Sequence, residues 1–112
     1  MPIPLLMIFL ALVGSTPAQA QSNRPQMSPK DFDFVCAVIG GQEMGAGHNE
    51  NNARKREVGG LVHSFYLGRL TGRDDTTEWQ TLIGHRIARM KERPALPEVL
   101  SACYNFYSSK LK

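Results

Sequence analysis

The sequence predicts a small all-α domain: a four-helix bundle with one disulfide joining the first and last helices, preceded by a cleaved signal peptide. Three observations predict it. Apolar residues recur at helical spacing in four segments, each bounded by capping or helix-breaking residues. Short alternating runs between turn dipeptides, the mark of strands, are missing, and no internal repeat or low-complexity tract interrupts the pattern. Two cysteines, Cys36 and Cys103, fall at inward positions of the first and last segments.

The chain opens with an apolar run from Pro4 to Val13, followed by Gly14, Ser15, Thr16, Pro17 and then Ala18-Gln19-Ala20. That run is well short of the roughly 20 residues a membrane-crossing helix needs. It reads as the apolar core of a signal peptide cleaved after Ala20, although Met1-Pro2-Ile3 carries no Lys or Arg. Residues 1–20 are therefore assigned to export and 21–27 to a polar, proline-bearing leader. Residues 28–112 form a single domain. No cysteine follows the apolar run to accept a lipid, so no stable membrane anchor is expected after cleavage.

Helix one is expected to begin at Ser28-Pro29-Lys30-Asp31. Ser28 is a good N-cap, Pro29 suits the first helical position, and Asp31 places negative charge at the positive end of the helix. Phe32, Val35, Cys36 and Ile39 then share a face. Gly40 and Gly41 disfavour a helix by about 1 kcal/mol each, and are expected to mark a kink or the close approach of a neighbour. Met44 to Asn52, rich in Gly and Asn, reads as a loop.

Helix two runs from about Ala53 to Thr71, with Gly72 placed to end it. Val58, Leu61, Val62, Phe65, Leu67 and Leu70 crowd two of its faces, which marks it as the central helix. Gly59, Gly60 and Gly68 offer positions where another helix can come close. Helix three starts from Asp75, with Glu78 in capping-box position and Asp74 adding charge. Its stripe is Trp79, Leu82, Ile83, Ile87 and Met90, and Pro94 stops it. Helix four starts near Pro97-Glu98 and packs through Val99, Leu100, Cys103, Phe106 and Tyr107.

Cleavage leaves about ninety residues, enough for one domain with a marginal core. An even cysteine count in an exported chain of this size reads as a disulfide, and the C-x-x-C spacing of a reactive or metal-binding pair is absent. The chain carries 13 Lys and Arg against 10 Asp and Glu, a formal net charge of +3. A charge that small, with both signs mixed, gives no reason to expect a nucleic-acid partner.

Residues that carry chemistry are sparse. His48, His63 and His85 match no compact metal-ligand spacing, and His63, with apolar neighbours, suits a hydrogen-bonded core position. Ser64 beside His63 is no dyad, because adjacent helical residues do not face each other. Gly45-Ala46-Gly47 lacks the strand and third glycine of a dinucleotide loop. Glu43 and Glu50 have no apolar pocket to raise a pKa, and Asp74, Asp75 and Glu78 are explained by capping. No catalytic residue, metal ligand or cofactor site is assigned. Arg86, Arg89 and Arg93 share one helix face. With His63 and Tyr66 they make a candidate interaction surface for anionic headgroups, envelope polymers or an acidic partner; a solvated, dipole-favoured face is the plainer alternative.

The signal peptide, F-V-C-A near the start of the domain, F-Y-L-G-R-L-T-G-R-D in its middle and the second cysteine in the last helix resemble a group of small exported alphaproteobacterial proteins. The resemblance spans about Phe34 to Phe106 and rests on packing and capping motifs, so it implies a compartment and a fold but no activity. The architecture is also similar, distantly, to periplasmic acid-stress chaperones, with no motif to carry over residue by residue. The expectation is a non-enzymatic exported protein, periplasmic before secreted, that binds an envelope protein or itself. A periplasmic chaperone is the alternative, and a small metal-dependent hydrolase using His63 or His48 comes third.

Overall fold

The computed structural model describes residues 27–90 and 96–111. The expected signal peptide, the leader up to Gln26, Arg93 and the expected helix stop at Pro94 lie outside the described residues. Within them the protein is all-α, with helices α1 (Pro29–Asn49), α2 (Ala53–Arg73), α3 (Trp79–Met90) and α4 (Pro97–Lys110).

The start of α1 is built as the sequence predicts. Ser28 stands in extended conformation and its Oγ accepts from the Asp31 N–H at 3.1 Å, with Pro29 opening the helix. The end is not. The expected loop from Met44 to Asn52 is helical as far as Asn49, and only Glu50 to Asn52 separate α1 from α2. Asn51 makes the reversal at φ 57°, in the left-handed region that Asn tolerates. Asn52 then caps α2, its Oδ1 accepting from the Lys55 N–H at 3.1 Å. Lys55 Nζ reaches back to both Glu50 carboxylate oxygens at 3.2 Å, which answers part of the positive charge at that end.

Glycine persists in α1 because α2 lies against it. A Cβ at Gly40 would stand 2.5 Å from His63 N and 2.8 Å from its Cα, and one at Gly59 2.5 Å from Met44 N. A Cβ at Gly47 would run into the Arg56 backbone. The two helices thus form an antiparallel hairpin whose backbones touch along Gly40, Gly47 and Gly59, so tertiary contact overrides the weak helix propensity of those residues. Gly41 makes room differently: a Cβ there would lie 2.8 Å from Ile87 Cδ1, where α3 crosses α1.

The more enclosed helix is α1, not α2. Cys36, Ala37, Val38 and Ile39 are all buried, whereas the buried stripe of α2 is narrow, Gly59, Val62, Tyr66 and Leu70. Leu61 is 54% exposed, so only one face of α2 is closed over. Nor does Gly72 end that helix, which runs to Arg73 with Asp74 as its cap.

Entry into α3 also departs from the expected capping box. Asp74, not Asp75, organises it: its carboxylate accepts from the Thr76 N–H at 3.0 Å and from the Thr76 and Thr77 hydroxyls, and its carbonyl accepts from Trp79 Nε1 at 2.8 Å. The helix begins at Trp79. Ile83 is its buried residue, Trp79, Ile87 and Met90 are half-buried, and Leu82 is 44% exposed. Gln42 donates to the Met90 carbonyl at 3.2 Å and ties the far end of α3 to α1. On α4, Val99, Leu100, Phe106 and Tyr107 pack beside buried Cys103. Cys36 and Cys103 are disulfide-bonded across 67 positions of sequence, joining the first and last helices as expected.

Candidate functional site: a cleft between α1 and α4

Five aromatic side chains gather where α1, α2 and α4 meet. Phe32 from α1, Phe65 and Tyr66 from α2, and Phe106 and Tyr107 from α4 meet with ring centroids 4.9 to 6.3 Å apart, several of them edge-to-face. Tyr66 is fully buried at the centre, and its hydroxyl donates to the Cys103 carbonyl, beside the disulfide. Burial, followed by the negative charge of Asp33, raises the Tyr66 pKa well above its ordinary value.

Beside this cluster lies a charge that sequence reading did not single out. Asp33, one residue along α1 from Phe32, is 1% exposed. Arg69 and Arg73 stand one turn apart on α2 and therefore share a face. Arg69 Nε donates to Asp33 Oδ1 at 3.0 Å, while Arg73 Nε and Nη2 donate to Oδ2 at 3.0 and 2.9 Å. Both carboxylate oxygens are thereby satisfied, which a buried charge requires. The guanidinium of Arg69 also lies over the rings of Phe106, at 4.8 Å, and Phe65, at 5.8 Å.

These groups border a cleft of about 790 Å³ between the start of α1 and the outward face of α4. Met27, Pro29 and Phe32 line it from the α1 side and Ala102 and Phe106 from α4, with Asp33 and Arg69 contributing charge and the exposed Glu98, Ser101 and Asn105 completing the lining. Small-molecule sites commonly enclose roughly 300–1,000 Å³, with a mostly apolar lining and a few placed polar groups. The cleft has those proportions.

Of the interaction surface expected from sequence, Arg86 and Arg89 lie on α3 and Arg93 is outside the described residues. Tyr66 cannot belong to it, because it shares the buried stripe of α2 with Val62 and Leu70. His63 is half-buried against α1, its Nδ1 2.8 Å from the Ala37 carbonyl, so it donates there as a core histidine does. Arg86 is half-buried with its guanidinium 5.4 Å from the Phe34 ring, while Arg89 is exposed. His48 and His85 are exposed on α1 and α3. Among the described residues, no group of three or more His, Cys, Asp or Glu side chains stands close enough to hold a metal ion.

Fold and site together define a disulfide-closed helical domain with a mostly apolar cleft and a guanidinium in its lining. No known family model matches the chain, and neither a curated protein nor a solved structure matches it significantly.

Proposed function

We propose that this protein is an exported, non-enzymatic binding module, and that the cleft between α1 and α4 holds its ligand. The observation that carries the reading is a ligand-sized, mostly apolar cleft whose lining includes one guanidinium held in place. Holding Arg69 against Asp33 and Phe106 restricts a flexible side chain before any ligand arrives, which lowers what binding must spend on ordering it. Export is supported by the apolar run Pro4 to Val13, by the Ala18-Gln19-Ala20 cleavage signal and by a fully buried disulfide consistent with an oxidising compartment. Among the described residues no helix is long and apolar enough to cross a membrane.

The test is titration of the exported, oxidised protein with a neutral apolar fluorophore such as Nile red. Saturable binding at one equivalent is expected, and Ala102→Trp, which fills the cleft from α4, should abolish it without lowering the urea midpoint. No saturable binding, or binding indifferent to the tryptophan, refutes the assignment. N-terminal sequencing checks export, with Gln21 expected as the first residue.

A further inference from the structure

We infer that the ligand of this cleft is a single-chain amphiphile with an anionic head, of the fatty-carboxylate type. Its head would meet the outer edge of the Arg69 guanidinium and its chain would lie along Phe32, Ala102 and Phe106. The inference rests on the reading of the cleft as a binding site and adds the chemical class of what it binds.

The argument starts from what Arg69 has left to offer. Its Nε is committed to Asp33 Oδ1, and its Cζ stands 4.8 Å from the centre of the Phe106 ring. Among the described residues neither of its terminal amino groups has a hydrogen-bond acceptor. Two donors on one rigid plane match the two oxygens of a carboxylate or a phosphate. The charge has the right sign as well. Asp33 shares its single negative charge between Arg69 and Arg73, so the triad as a whole is cationic.

The remaining lining suits a hydrocarbon chain, since it is aromatic and aliphatic on both walls. Ser101 and Asn105 supply only neutral polar atoms. The lining holds two carboxylates, Asp33, which is paired with Arg69 and Arg73, and Glu98. Glu98 is exposed in the first turn of α4, where the helix dipole accounts for a carboxylate. Being solvated, it weakens an anion at Arg69 only through screened repulsion.

The experiment is displacement of Nile red from the full exported protein by dodecanoate, dodecanol and dodecylamine, at neutral pH, low salt and below micellar concentrations. Dodecanoate should bind at least about tenfold more tightly than dodecanol, the scale of a charge-assisted hydrogen-bonded pair, and dodecylamine should bind most weakly. Arg69→Met should remove the preference, so that dodecanoate and dodecanol bind that variant equally. Because that variant also strips Asp33 Oδ1 of its donor, Glu98→Gln on the exposed edge is the second variant. It should widen the preference for dodecanoate over dodecanol about twofold.

Equal affinity for acid and alcohol, or preference for the amine, overturns the ligand class while the cleft stands as a binding site. Failure of all three compounds together with Nile red overturns the cleft itself. A lipid headgroup presents the same chemistry in a bilayer. Arg69-dependent sedimentation with phosphatidylglycerol vesicles, without dodecanoate binding, would replace the single-chain ligand by a membrane surface.

Discussion

Replacing glycines of α1 and α2 by alanine should change stability with opposite signs at positions two residues apart. At Gly45 nothing lies within 4 Å of an added Cβ. Alanine there gains helix propensity and stabilises by about 0.5–1 kcal/mol. At Gly40 the same methyl would stand 2.5 Å from the backbone N of His63, about 0.9 Å inside the 3.4 Å where ordinary contact begins. A backbone atom cannot rotate aside, so the hairpin must open or the helices must shift. Overpacking of this kind costs about 1–3 kcal/mol, and after the propensity gain a net loss of about 1–2 kcal/mol is expected. Gly47→Ala and Gly59→Ala meet backbone in the same way and should lose similar amounts. Gly40 and Gly59 face each other, so their double variant should lose less than the sum, the second methyl entering a gap the first has opened. Urea unfolding of the oxidised protein measures this. With a slope near 1 kcal/mol/M, a loss of that size moves the midpoint by about 1 M or more. Stabilisation by Gly47→Ala equal to that by Gly45→Ala would refute close contact along α1 and α2, and with it the placement of Asp33 against α2.

Further outcomes follow from other contacts. On the chain-entropy account a bond closing 67 positions stabilises by about 4 kcal/mol, so Cys36→Ser with Cys103→Ser should lower the unfolding free energy by up to that amount. Both sulfurs are buried, and a small thiol reductant should therefore act slowly in buffer and quickly in denaturant, as timed thiol labelling would show; fast native reduction would contradict the packing. Asp33→Ala should lose about 2–4 kcal/mol, less than a fully buried pair because Arg69 and Arg73 are 34% and 37% exposed and can rehydrate; a loss under about 1 kcal/mol in urea would make the triad an ordinary surface pair. At low pH, hydrogen bonds from Thr76 and then Thr77 hold the Asp74 carboxyl down at about 2. Its contribution is complete above the ordinary value of 3.8 and disappears as pH falls toward 2, which carbon NMR titration of Asp74 beside a Thr76→Val variant should reproduce. At high pH the sign reverses. Tyr66 ionises near its ordinary value of 10 in the unfolded chain, whereas burial and the Asp33 charge raise its pKa in the folded one, so stability should fall as pH rises above 10, and Tyr66→Phe should flatten that limb.

What was legible in the sequence follows from how local each determinant is. Ser28, Pro29 and Asp31 specify the start of α1 by themselves, and the stripe through Cys103 on α4 is set by spacing alone. Gly45 and Gly47 read as a loop because propensity is a local property, while the reason α1 continues through Gly47 is the Arg56 backbone on another helix. Leu61 fits the apolar pattern of α2 yet stands exposed for a similar reason: apolar composition reveals how much could be buried, not how many neighbours are available to bury it. The Asp33 triad was legible in principle. A carboxylate between Phe32 and Phe34, in register with Cys36 and Ala37, lies on a packing face where it needs an ionic partner. In an antiparallel hairpin the early residues of α1 stand opposite the late residues of α2, and there Arg69 and Arg73 supply two guanidiniums one turn apart. Reading Asp33 first would have turned a stray charge into a long-range contact and placed a guanidinium beside Phe106. Recognising the cleft required one more fact that spacing does not hold: α4 is drawn in by Cys103 but leaves its Ala102 face standing off α1.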